Sequence, residues 1–184
     1  MRTKASLGGH PVHPMLVVVP LGALPTALVF DVLQVWQGDA PWRMAGLVAG
    51  LVGVVGLLLA RVPGFIDYRA SVPKRGAVHA VARAHMALGI ALLGYFALVA
   101  LLRWATLAEP SAWAAWATLG ASALGNLGLI AQGILGGELR ARHRLGVDST
   151  LPEPLAAPVH PPEEREERGR KGGPYSGGGA PGAP

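Results

Sequence analysis

The chain is 184 residues long, 51% hydrophobic and 15% charged, with a net charge of +5. It has no cysteine, which excludes disulfides, thiolate metal sites and a cysteine nucleophile. The apolar residues lie in long blocks flanked by the basic ones, which points to a membrane and away from both a soluble core and a nucleic-acid partner.

The N-terminal stretch MRTKASLGGHPVHPMLVVVPLGALPTALVF joins a basic start to an apolar run, as a signal peptide does. The run is longer than a signal core, carries prolines and ends without a small-x-small cleavage site. It is therefore expected to stay as a first membrane helix, about 14–36. Pro14 suits the first helical position, with His13 just outside and His10 and Pro11 in an extended lead-in. Pro20 and Pro25 lack amide hydrogens, so the carbonyls of Leu16 and Leu21 lose their usual partners and a kink is expected. Asp31, near the far end, needs a cation, and Arg103 or Arg43 can supply it as a structural ion pair.

Three further blocks follow at about 42–66, 77–104 and 112–135. Each approaches the roughly 20 residues a helix needs to cross hydrocarbon, so the sequence predicts an all-α integral membrane bundle of four helices within residues 1–146. Gly46, Gly50 and Gly53 on the second helix, and Ala121, Gly125 and Gly128 on the fourth, make stripes of small residues. Such stripes serve close packing within the bundle or a homo-oligomer seam. Residues 147–184 hold a proline run, EEREERGRKGG and a Gly/Pro end, and are predicted to form a disordered polar tail facing the cytoplasm.

All Lys and Arg residues except Arg43 and Arg103 fall at one end of the alternating helices, and Trp36, Trp42, Trp104, Trp113 and Trp116 fall at the other. Both biases predict a multi-pass protein of the bacterial inner membrane with N- and C-termini inside. The basic end also gathers His10, His13, Asp67, Tyr68, His79, Arg83, His85, Glu138, Arg140 and His143. His85 lies about 9 Å deeper than His79 and is turned roughly 120° from it, so the two cannot ligate one metal from a straight helix. His13 with His85 would bring ligands from two helices, as a haem or metal site requires. His10 and His79 are further candidates, and Asp67 and Glu138 are candidates to orient an imidazole. Ion pairing with Arg69, Arg75 or Arg140 is the alternative for those two acids.

The residues GHPVHPMLVVVPLGALPTALVFD, with PGFIDY, the His-bearing start of the third helix and GGELRARHRLGV, resemble the bacterial membrane family named domain of unknown function 2231. The resemblance covers roughly Leu7 to Val147 and implies a four-helix membrane architecture without an established activity. By position it implies that His10, His13, Asp31, Asp67, His85 and Glu138 matter.

Three functions fit this pattern. One is a non-catalytic membrane scaffold whose basic surface meets lipids or partner proteins. Another is a b-type haem or metal-binding electron-transfer protein using His13 and His85. The third is an oligomeric transport component built on the kinked first helix. No nucleophile elbow, phosphate-binding loop or HExxH motif occurs, so the sequence leans away from an enzyme.

Overall fold

In hydrocarbon a backbone has no partner but itself, and each apolar block accordingly closes into one helix. The computed structural model describes residues 4–8, 10–38, 40–108 and 111–143. Helix α1 spans Val12–Gln37, α2 Ala40–Ser71, α3 Ala77–Ala105 and α4 Ala112–Ala141, and all four are long and apolar enough to cross a membrane. The fold is thus an all-α four-helix membrane bundle. The expected disordered tail, 147–184, lies outside the described residues.

Helix ends differ from the sequence expectation. Helix α1 starts at Val12 with Pro11 as its cap, so His13 sits inside the first turn and Pro14 follows it. Proline is tolerated there because the first four amides of a helix have no intrahelical acceptor. Helix α2 runs through Pro63 to Ser71, which makes Asp67 and Tyr68 helical and reduces the charged connection to 72–76. Helix α4 continues to Ala141 and carries Glu138 and Arg140 with it. Helix α1 passes through both Pro20 and Pro25 and ends at Gly38, whose φ of 76° lets its amide reach the Gln34 carbonyl at 2.8 Å. Ahead of α1, strand β1 (Ser6–Leu7) pairs antiparallel with β2 (His10–Pro11), and Gly8 at φ 56° opens the turn.

Helices pack as a ring in which α1 and α3 each touch α2 and α4. The small-residue stripes set this packing from inside the chain. A Cβ at Gly56 would stand 2.8 Å from Pro20 Cδ, one at Gly125 2.6 Å from Phe96 Cζ, and one at Gly128 2.6 Å from Leu92 Cδ2. Leu24, Leu57, Leu92, Phe96 and Leu129 meet in the centre, so every helix contributes to one core. The outside is equally apolar: Val18, Leu98, Leu127 and Ile134 are all exposed. A soluble protein does not tolerate such a surface, whereas lipid does. Trp36, Trp104, Trp113 and Trp116 are also exposed, at the end opposite the histidines.

Candidate functional site

The buried stripe of α3 runs Ala82, Gly89, Leu92, Phe96, Val99 and Arg103, and His85 falls in step with it three residues after Ala82. The 3.6-residue period thus aims His85 inward. On α4 the same period joins Gly125, Leu129, Gln132 and Gly136. Gln132 and His85 meet where these stripes face each other, with their Nε2 atoms 3.2 Å apart. Gly136 leaves room for the ring, since a Cβ there would stand 3.1 Å from His85 Cε1.

His13 arrives from the first turn of α1. Its Nδ1 donates to the Ala60 carbonyl on α2 at 2.7 Å, and the ring lies beside Gly64, where a Cβ would stand 2.9 Å from Nδ1. The rings of His13 and His85 then sit perpendicular, at 89°, with centroids 6.3 Å apart. Both line a cavity of about 400 Å³ within the range of small-molecule and cofactor sites. Its wall is otherwise largely apolar, with Val17, Pro20, Leu57, Leu92 and Leu129 on it, together with Arg61, Asp67, Tyr68 and Met86.

Each imidazole hydrogen-bonds through one nitrogen. With the His13 proton on Nδ1, its Nε2 carries a lone pair and bonds to none of the described residues. His85 Nδ1 is buried without a partner, as is Gln132 Oε1. Turning the Gln132 amide end for end lets Oε1 accept from His85 Nε2–H, which converts Nδ1 from an orphaned donor into a free lone pair. Two imidazole lone pairs from two helices, each ring anchored through its other nitrogen, is the arrangement metal-ligating histidines adopt.

The other expected residues are placed elsewhere. Asp67 does not orient an imidazole: its Oδ1 accepts the backbone amides of Lys4 and Ala5, both at 2.9 Å, and so ties the N-terminal segment to α2. Glu138 pairs neither with an imidazole nor with Arg69, Arg75 or Arg140, but with Arg142 one turn on, at 3.4 Å on the surface. His10 is exposed and bonds through Nδ1 to the Gly8 carbonyl at 3.1 Å. His79 stacks on Tyr68 with ring centroids 6.0 Å apart and does not line the cavity. Among the described residues no group of three or more His, Cys, Asp or Glu could hold a metal ion.

Two further features carry weight. Arg61, in sequence one of the basic residues that mark topology, faces the cavity with its Nη1 3.8 Å from Met86 Sδ and its Nε buried without a partner. The signal for it was present in the sequence: an arginine inside an apolar block. At the other end Asp31 pairs with Arg103 and not Arg43. Arg103 Nη2 donates to Asp31 Oδ2 at 2.6 Å and to Ser122 Oγ at 2.7 Å, its Nε donates to Oδ1 at 3.2 Å, and the Ser122 hydroxyl donates to Oδ2. Gly46 and Gly50 supply the room, since a Cβ at 50 would stand 2.6 Å from Arg103 Nη1.

A model of the family described as "Predicted membrane protein (DUF2231)" matches residues 9–149, well over half of the chain. No curated protein matches it, and no solved structure does.

Proposed function

The chain belongs to the DUF2231 family of predicted membrane proteins, and from that premise we propose that it binds a b-type haem between His13 and His85 and serves electron transfer within the membrane. The observation that carries the reading is the pair of imidazoles 6.3 Å apart, each hydrogen-bonded through one nitrogen, with a second lone pair on His85 once the Gln132 amide is turned. That separation would let His13 and His85 hold one metal centre between them. A bare ion would find two protein ligands here and lack the others its geometry needs. A porphyrin would bring nitrogen ligands of its own, so His13 and His85 would be the only protein ligands it needs.

Bound there, haem supplies one-electron redox chemistry. The residues of the chain do the rest. Ala60 fixes the His13 tautomer and Gln132 fixes His85, and both raise the basicity of the free nitrogen. Leu57, Leu92 and Leu129 keep the surroundings dry, which tunes the potential. If His13 and His85 both held the iron, no coordination site would remain for a substrate, which would favour electron transfer over oxygen chemistry. The Lys and Arg bias supports placing the histidine end on the cytoplasmic side of a bacterial inner membrane, with both termini inside.

The test is reconstitution of the detergent-purified chain with haem, followed by visible absorbance and iron content. The reading predicts one haem per chain and a Soret band that His13→Ala and His85→Ala each abolish or shift. A wild-type chain that stays colourless ends it.

A further inference from the structure

Two arginines of the bundle, Arg61 and Arg103, are treated differently. Arg103 is neutralised by the Asp31 carboxylate and tied to Ser122. Arg61 has five N–H donors, yet the one hydrogen bond it makes among the described residues is to a thioether, a weak acceptor, and its Nε is buried without a partner. Asp67 lines the same cavity, but it lies six residues further along α2, about 9 Å, and its Oδ1 is occupied by Lys4 and Ala5. The guanidinium rests against Gly89 so closely that a Cβ at that position would overlap it. A charge held at membrane depth without a counter-ion is costly, so the fold keeps room for a cation that the protein itself does not neutralise.

We infer that Arg61 binds an ionised carboxylate of the ligand in this cavity, which makes that ligand an anionic iron porphyrin carrying peripheral carboxylates. The inference rests on the haem reading above. Arg61 follows directly on Ala60, whose carbonyl holds His13, so the metal-facing nitrogen and the anion-binding group are set by adjacent residues of α2. A guanidinium takes a carboxylate through two parallel charge-assisted hydrogen bonds, so Arg61 would orient the ligand as well as add affinity. The apolar wall of Leu57, Leu92 and Leu129 suits the ring, and Arg61 suits its charged edge.

The test titrates the full-length detergent-solubilised wild type, Arg61→Met and Arg61→Lys with haem and with haem dimethyl ester, in which the carboxylates are masked. Soret absorbance is the readout. Haem should bind Arg61→Met about 30-fold or more weakly than wild type, with Arg61→Lys between them. The ester should bind wild type and Arg61→Met alike. Equal haem affinity in wild type and Arg61→Met overturns the inference and leaves the haem site standing. No Soret band in the wild type with either compound overturns the haem reading, and the inference with it. A second readout covers folding. Ligand-free Arg61→Met loses an unpaired charge and should melt no lower than ligand-free wild type; a clearly lower melting temperature would mean that the protein already satisfies Arg61 and would equally overturn the inference.

Discussion

Asp31→Leu removes the counter-ion of a guanidinium whose side chain is 5% exposed, and with it three hydrogen bonds: two from Arg103 and one from Ser122. Breaking a buried pair from one side strands the other charge, which costs about 3–5 kcal/mol. Arg103→Met strands Asp31 and should cost a similar amount. Replacing both at once, as Asp31→Leu with Arg103→Met, strands neither and should come close to wild type, since apolar residues of similar volume substitute for buried pairs at little cost. The coupling energy is therefore expected to exceed about 3 kcal/mol, against roughly 0.2–1 kcal/mol for an exposed pair. Ser122→Ala leaves the ion pair and removes hydrogen bonds to charged groups, so it should fall lower, near 1.5–3 kcal/mol. Unfolding in mixed micelles of rising denaturing detergent, followed by tryptophan emission, reads these differences, and Trp104 sits next to the pair in sequence. Single losses that simply add in the double variant would refute the claim that this pair locks α1 to α3.

Other consequences follow from the same geometry. Gly64→Ala places a methyl 2.9 Å from His13 Nδ1, so it should displace the ring from the Ala60 carbonyl and weaken haem binding at least tenfold in the Soret titration, with the helical circular dichroism unchanged. Gln132→Leu removes the group that orients His85, and a loss of about 10–100-fold in haem affinity is expected, whereas Gln132→Glu should retain binding through its carboxylate acceptor. Asp67→Asn weakens the hold on the Lys4 and Ala5 amides, and hydrogen exchange by mass spectrometry should report faster exchange at the N-terminal segment alone. Because the chain has no cysteine, single-cysteine variants at Lys74 and Ser111 report topology without background, and a membrane-impermeant thiol reagent should reach them from opposite sides.

The fold was legible because hydrophobic length is a coarse but strong constraint: four apolar blocks of membrane-crossing length became four helices. The errors lie at the ends, where composition stops being a guide. Helix α2 continues beyond Ile66 because Asp67, Tyr68 and Arg69 find interfacial or protein partners, and neither polarity nor Pro63 ends a helix that neighbours support. His13 and His85 could be brought together from helix direction and period alone. Their anchors could not, because the Ala60 carbonyl has no side-chain signature and Gln132 is one polar residue in a run of alanines, glycines and leucines. Asp67 and Glu138 are candidates for the imidazoles because acids are frequent partners of ligating histidines, yet both sit nearer the bundle end and are used there. The choice between Arg43 and Arg103 for Asp31 depended on the notch at Gly46 and Gly50, which sequence spacing displayed without saying what it would hold.

The central claim is that His13 and His85 present one free nitrogen each to a common metal centre. Electron paramagnetic resonance of the oxidised, haem-loaded full-length chain tests it most directly. The account predicts a low-spin, bis-imidazole iron signal that becomes high-spin in His13→Ala and in His85→Ala. A wild-type signal that is high-spin, or one that neither substitution alters, would contradict it.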